Sequence, residues 1–565
     1  MLRYFTKERI TAPPGYNRWR VPLASVSIHL CIGSVYAWSI FNPPLTKVLG
    51  VAGSAGDDWT LKEVVRVFTV AIVFLGLSAA VAGRWLERVG PRLVGTVAAC
   101  CWGGGFIVGG LGILTHQLWL LYLGYGVIGG CGLGLGYVSP VSTLIKWFPD
   151  RRGMAAGMAI MGFGGGAIIG SPLKDRLIHA FYEAPVYVGK QEDVPLVTEG
   201  GKRFAMVDGV KKEVVVVAEA ERDRMIVRGD AGVYVVGTGN TGVAQTFFVL
   251  GSIYFSIMVL AAFSYRIPAT GWKPEGWQPP SEEQTRRKMV SRHNVAINEA
   301  MKTPQFYLLW IVLCLNVTAG IGILAVGKDM MRDLFGRSLP ALVTAGFATT
   351  FVQMMAVANM GGRFAWASTS DWIGRQRTYL IFFTAGMALY ALIPLIAKQS
   401  NVLPPFGWLV LFYAVVLIIM TMYGGGFATI PAYLADLFGS KFVGGIHGRL
   451  LTAWSTAGVL GPWAITELRE SSRRAAIEDL AGKVDPEVFR AQFGAGVDQL
   501  QLLMQKETVN IPKLLALAPS GTPDPTITLY NSTMYLMVGL LAIAFIANWL
   551  VRPVKAEHHL KNEAM

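Results

Sequence analysis

The chain has 565 residues, 53% of them hydrophobic and only 15% charged, with 50 Lys and Arg against 36 Asp and Glu for a formal net charge of +14. Soluble domains carry about 25% charged residues, so this composition excludes a soluble enzyme built on one core, and its apolar content excludes a disordered scaffold. The cations sit in short segments between long apolar runs, so the positive balance reads as the topology signal of a membrane protein and not as a nucleic-acid surface.

In chain order, a polar, basic tail (Arg3, Lys7, Arg9, Arg18, Arg20) comes first and lacks the pattern of a cleaved signal peptide. A helix needs roughly 20 apolar residues to cross about 30 Å of hydrocarbon. Scanning at that length predicts spans near 21–42, 65–83, 93–114, 118–145, 154–172 and 245–265. After a polar stretch from Arg266 to Thr303, six more follow near 305–327, 340–366, 378–397, 407–430, 449–466 and 530–550. The expected fold is an all-α membrane protein with twelve transmembrane helices in two pseudo-symmetric six-helix halves. Residues 1–265 form the N-terminal half, 266–304 a central loop, 305–552 the C-terminal half and 553–565 a tail.

With the N-terminus inside, Arg84, Arg88, Arg92, Arg151, Arg152, Arg375, Arg377, Lys441 and Arg449 all fall on the same side. The central-loop cations Arg286, Arg287 and Lys288 join them, which predicts cytoplasmic termini in an inner membrane.

Two polar insertions interrupt the halves at equivalent places, after the fifth and eleventh spans. The first, 173–243, has β-branched runs (Glu213–Ala218, Met225–Val236) broken by Gly and Asp, and is expected to be β-rich. The second, 467–528, opens with a charged helical pattern and ends on the turn signature Pro519-Ser520-Gly521-Thr522-Pro523. Both should face outward, as caps over one entrance or as decoration. A membrane sensor using them as its working domain is a rival reading. The five cysteines lie in apolar runs without metal-ligand spacing, and no nucleotide-binding fingerprint appears. Hence no cofactor, metal or enzymatic reaction is expected.

The halves also repeat a local pattern. Gly83-Arg84-Trp85-Leu86-Glu87-Arg88-Val89-Gly90-Pro91-Arg92 follows the second span, and Ala367-Ser368-Thr369-Ser370-Asp371-Trp372-Ile373-Gly374-Arg375-Gln376-Arg377 follows the eighth. Each has an acid four residues after a small residue, then Gly and basic residues at fixed offsets. This describes a tight turn whose acid can pair with cations on a neighbouring helix and stabilise one state of a two-state bundle.

These segments resemble the loop signature of the major facilitator superfamily, Gly-x-x-x-Asp-Arg/Lys-x-Gly-Arg-Arg. Glu87 and Pro91 depart from it in the first copy, Ala367 and Trp372 in the second. Gly33–Phe41, Lys146–Gly153, Gly327-Lys328-Asp329 and Gly362-Arg363 further resemble its oxalate/formate antiporter-like branch, which is related to the monocarboxylate carriers. The resemblance implies halves rocking around a midplane site and a small-carboxylate cargo. It also implies that Gly83, Glu87, Arg88, Gly90, Asp371, Gly374 and Arg375 form conformational-switch loops.

Arg363 is the most informative residue. It is the only fully ionised side chain away from the ends of the predicted spans, and it lies eight residues before Asp371, roughly 12 Å at 1.5 Å per residue. Insertion of such an Arg costs about 2.5–3.5 kcal/mol, and a carboxylate bound by two parallel hydrogen bonds would justify it. Bonds to backbone carbonyls are the alternative. Oxalate carriers of the branch have a Lys in the eleventh span where Thr452-Ala453-Trp454-Ser455 places Trp454. The resemblance therefore implies a single cation, and a monocarboxylate such as pyruvate, lactate or formate rather than oxalate.

Candidate substrate contacts are Tyr36, on one helical face with His29 and Gly33, then Asn359, Trp454, Tyr125 and Tyr423, with Tyr137, Asn316 and Phe427 weaker. Asn359 lies one turn before Arg363 and can orient it. His29 is titratable near neutral pH and suits a proton relay. Lys328 and Asp329 are candidates for an outer gate pair. The expected partners are the bilayer, a small carboxylate, and a proton or counter-anion, with the chain a monomer. A superfamily carrier for another solute, such as a drug exporter, is the nearest rival.

Overall fold

The computed structural model describes residues 2–46, 59–278, 281, 289–400, 402–505 and 508–564; Arg286, Arg287 and Lys288 lie outside the described residues. Six long helices fill the first half: α1 (Val21–Gly33), α2 (Leu61–Val89), α3 (Pro91–Leu114), α4 (Gly130–Trp147), α5 (Arg152–Phe181) and α6 (Val243–Ser264). The second half has α7 (Pro304–Phe335), α8 (Ala345–Ile373), α9 (Arg375–Ser400), α10 (Pro405–Phe438), α11 (Val443–Leu450 continued by Thr452–Ala481) and α12 (Asn531–Leu550). This is the expected twelve-helix arrangement. Among the described residues ten of these helices are apolar and long enough to span by composition alone. α8 falls short because it carries Gln353, Asn359 and Arg363, and α11 because it carries Thr452, Ser455, Thr456 and the charged Glu467 and Arg469.

α2 and α8 both end at a glycine with positive φ, Gly90 at 86° and Gly374 at 92°. A residue with a Cβ is disfavoured in that conformation, which is why Gly punctuates both turns. These turns share a face with both chain termini, called the inner face below. There the tail strand His559–Ala564 pairs with His293–Val295, a contact the sequence pattern does not show.

The halves meet along two helix pairs, α2 with α11 and α5 with α8. Glycine permits the close approach: a Cβ on Gly83 would lie 2.4 Å from the Gly444 carbonyl oxygen, and one on Gly153 would lie 2.1 Å from that of Ala367.

Two expectations about the spans need correction. The first span is not one α-helix: after Gly33 it continues as a 3-10 segment, Ser34–Phe41, with non-helical angles at Ala37. Tyr36 thus belongs to the broken segment and His29 to the α-helix before it. The fifth span does not stop at Pro172. α5 runs through that proline to Phe181, and Lys174 is fully buried within it, donating to the Ser34 carbonyl at 2.7 Å. Arg363 is therefore not the only buried cation. Lys174 stabilises a carbonyl left at the break in the first span, where the α-helical ladder changes pitch.

The first insertion forms a five-stranded antiparallel sheet in the order β1-β5-β4-β3-β2 (β1 Tyr187–Gly189, β2 Val197–Glu199, β3 Lys202–Val207, β4 Val210–Val217, β5 Gly232–Val235). Ala205, Val214, Val233 and Val235 form its small core. The charged pattern opening the second insertion is the outer extension of α11, and short helices such as Pro486–Phe493 and Ile511–Leu517 follow it.

Candidate functional site

Arg363 is completely buried and points across the seam between the halves. Its Nε donates to Asn359 Oδ1 at 3.1 Å, one turn back on α8, and its Nη1 donates to the Ile160 carbonyl of α5 at 3.1 Å. Nη2 has no partner. The guanidinium lies 5.7 Å from the Phe163 ring centroid and 5.4 Å from that of Phe427, a cation–π sandwich contributed by both halves. Glycine clears its path: a Cβ on Gly164 would lie 2.9 Å from Nε. Among the described residues Arg363 forms no ion pair.

Trp454 closes the wall, with ring centroids 5.0 Å from Phe427 and 5.4 Å from Phe163. Tyr36 and Tyr137 each pack edge-on to Phe163 at 5.2 Å, and Tyr423 packs on Phe427 at 5.4 Å. The Tyr36 hydroxyl stands against both Arg363 and Tyr423. The hydroxyls of Tyr36, Tyr137 and Tyr423 are buried without well-formed hydrogen bonds. A void of about 20 Å³ adjoins Tyr423 and Asn316, whose Nδ2 is also unpaired. That is room for about one water. The arrangement offers one buried positive charge, three buried phenolic hydroxyls and an aromatic wall.

The structure thus brings together Arg363, Asn359, Tyr36, Tyr423 and Trp454. It does not place Tyr125 with them: that ring stacks on Trp38 at 4.4 Å and packs with Trp102, Phe106 and Phe247 inside the first half. His29 adjoins the site but is held by backbone, with Nδ1 2.5 Å from the Ala159 carbonyl oxygen and Nε2 3.2 Å from that of Tyr137. Lys328 is exposed, and Asp329 pairs with Arg469 of α11 at 3.0 Å, so the outer contact is Asp329–Arg469 rather than Lys328–Asp329. Phe163 and His447 were missed by sequence reading. Phe163 lies between Gly162 and Gly164 with no charge or polar neighbour to single it out, and His447 lies before the predicted start of the eleventh span.

At the inner face the two turn motifs make mirrored contacts. Glu87, on α2, accepts from the Gly444 N–H at the start of α11 at 3.1 Å and pairs with Lys146 at 2.5 Å. Asp371, on α8, accepts from the Gly153 and Met154 N–H groups at the start of α5 at 2.8 and 2.9 Å and pairs with Arg375 at 2.6 Å. Each acid therefore caps a helix N-terminus in the opposite half, worth about 0.3–1 kcal/mol and up to ~2 when partly buried. Asp436 adds a second bridge, taking Arg152 from the first half at 3.0 Å and Arg375 at 2.9 Å. The expected pairing with cations is present, and backbone amides extend it. The inner face is shut in this state.

The profile of the Major Facilitator Superfamily matches residues 24–188 and 232–462. The chain belongs to that superfamily. It is accordingly a multi-pass membrane transporter and not an enzyme. The Oxalate:formate antiporter of Oxalobacter formigenes is 25% identical over 451 residues, covering 79% of this chain and 83% of that one. Apicoplast pyruvate carrier 1 of Toxoplasma gondii is 24% identical over 498 residues, covering 78% and 82%. The crystal structure of the Escherichia coli Fucose:proton symporter superposes with a TM-score of 0.52 at 11% identity, over 94% of this chain and 99% of that one, and shares the superfamily fold. Most of the β-sheet insertion and everything after residue 462 lie outside the matched ranges.

Proposed function

We propose that this superfamily member is a secondary active transporter of small organic anions, of the pyruvate, lactate or formate class, working by alternating access around Arg363. The observation that carries the reading is a fully buried guanidinium with an unpaired Nη2 and no carboxylate partner among the described residues. One monoanion neutralises it, whereas a dianion would keep an uncompensated charge in a dry site. A carboxylate docking on Nη2 also meets the hydroxyls of Tyr36 and Tyr423. Asn359 orients the guanidinium, and Trp454, Phe163 and Phe427 shape the apolar end. The relatives named for oxalate and formate and for pyruvate support the substrate class.

On this reading the inner face is cytoplasmic, as the positive-inside rule requires, and the membrane is a cell's inner membrane. The Glu87 and Asp371 contacts hold the cytoplasm-closed state, and Asp329–Arg469 braces the outer end. The carrier works as a monomer, moving the anion with a proton or against a counter-anion.

Exchange of labelled pyruvate, lactate, formate and oxalate in proteoliposomes tests the proposal. Monocarboxylates should exchange, and Arg363→Gln should lower the rate at least tenfold, since a charged hydrogen bond is worth about 1.5–3 kcal/mol. Absence of exchange for all four anions would remove the carboxylate reading.

A further inference from the structure

The second insertion closes a cavity of about 490 Å³ over the outer ends of α7 and α11, opposite the inner turns. That volume falls in the range of small-ligand sites, roughly 300–1,000 Å³. α7 contributes Arg332, Asp333 and Arg337, and the outer extension of α11 contributes Arg469, Glu470 and Arg473. Arg332 and Gly336 are one helical turn apart, as are Arg469 and Arg473, so a cationic face of each helix borders the same space. Asn510 and Thr526 of the insertion complete the walls. Every α11 and insertion residue of this cavity lies beyond residue 462, outside the superfamily profile. The shared transport fold therefore does not account for it.

The charges around the cavity do not cancel. Arg337 pairs with Asp524 at 2.6 Å, and Arg469 with Asp329 at 3.0 Å and Asp333 at 3.9 Å. Asp333 also accepts from the Tyr530 hydroxyl at 2.5 Å, and the Arg469 guanidinium lies 5.5 Å from the Tyr530 ring centroid. Glu470 is shared between Arg473 at 3.7 Å and Arg474 at 3.4 Å. Arg332 forms no ion pair or side-chain hydrogen bond among the described residues. Five guanidiniums thus stand against four carboxylates. Within the described residues the side chains of Arg332 and Arg473 leave their N–H donors without a hydrogen-bond acceptor.

These unspent donors come from two different walls, and this selects the ligand. A carboxylate is planar and turns both oxygens to one side, which suits a single guanidinium fork. A phosphate group is tetrahedral, and its oxygens accept from forks on two walls at once. The depth of the cavity points the same way. On α11, Leu460 is 53% and Trp463 65% exposed, and Thr466 of the cavity wall lies nearly one turn beyond Trp463. Exposed Trp on a spanning helix marks the membrane–water interface, which is where phospholipid headgroups lie.

We propose that this cavity is a phosphate-group site, separate from Arg363, in which Arg332 and Arg473 hold the headgroup phosphate of an outer-leaflet phospholipid whose chains run along α11 past Trp463. Asp524, Asp329 and Glu470 fix Arg337, Arg469 and Arg474 around it. Every wall belongs to the second half or its insertion, so the site keeps its form as the halves rock. Its occupant is an anchor for the insertion and not cargo. Free phosphate offers the same chemistry without the chains, and the test separates the two sources.

The full-length protein, delipidated in detergent, is titrated with dioleoylphosphatidylglycerol, with dioleoylglycerol, which lacks the phosphate, and with inorganic phosphate. Native mass spectrometry reads binding, and melting curves read stabilisation. Phosphatidylglycerol should bind about tenfold more tightly than dioleoylglycerol and raise the melting temperature, and Arg332→Gln combined with Arg473→Gln should remove that advantage. Trp463→Ser should weaken phosphatidylglycerol and leave inorganic phosphate unaffected. Binding of inorganic phosphate alone, lost in the double variant, supports the site and makes free phosphate its occupant. Failure of both phosphate-bearing probes to bind the unsubstituted protein better than dioleoylglycerol overturns the proposal without recourse to any variant. Equal binding of those probes to the unsubstituted protein and the double variant overturns it as well.

Discussion

The two inner turns carry the same motif but do not hold the seam equally. Asp371 receives two backbone N–H groups from α5 and a buried guanidinium, and the adjoining Asp436 ties Arg375 to Arg152 across the halves. Glu87 receives one backbone N–H from α11, a long contact from Ser142 at 3.4 Å, and Lys146, whose side chain is 28% exposed. Arg supplies a planar fork suited to buried carboxylates, whereas Lys is a hydrated point charge. The superfamily's two-fold plan therefore carries an asymmetric lock, with the α5–α8 seam the tighter side. The α2–α11 seam is held at this end by fewer buried charged contacts than the α5–α8 seam.

Substitutions can break this comparison or sharpen it. The largest effect is expected from Asp436→Ala, which leaves Arg152 and Arg375 buried without their shared acid, a loss of about 3–5 kcal/mol for a broken buried pair. Its signature would be a lower melting temperature and an inner face open at rest. Asp371→Ala should come next, costing about 2 kcal/mol through two lost helix-terminal bonds. Glu87→Ala should be mildest, about 1 kcal/mol, because a single amide bond and a partly wet Lys pair are lost. Melting curves of the three variants give the ranking. If Glu87→Ala destabilises as much as Asp371→Ala, the asymmetric lock is wrong.

What the sequence reveals follows from how local each signal is. The spans, both turns and the β-rich insertion are written in run lengths, alternation and glycine placement, so they are legible along the chain. Arg363 is legible because a charge in an apolar run has few reasons to exist, and Asn359 because one helical turn places it beside that charge. Tertiary choices are not local. Tyr125 and Tyr137 lie twelve residues apart in one predicted span, yet Tyr125 packs with Trp102, Phe106 and Phe247 inside the first half whereas Tyr137 packs on Trp454 of the other half. Pro172 read as a stop and concealed Lys174, because neighbouring packing sustains α5 beyond it. Lys328 and Asp329 are adjacent in sequence, but the acid's partner, Arg469, comes from a helix extension more than a hundred residues later.

The central claim is that Arg363 awaits an anion at the meeting of the two halves, and ligand-dependent melting of the purified protein tests it most directly. Across a panel of mono- and dicarboxylates, a monocarboxylate should raise the melting temperature of the unsubstituted chain, and Arg363→Gln should erase that gain. Equal stabilisation of both proteins by the same anion would contradict the claim, as would a panel that stabilises neither.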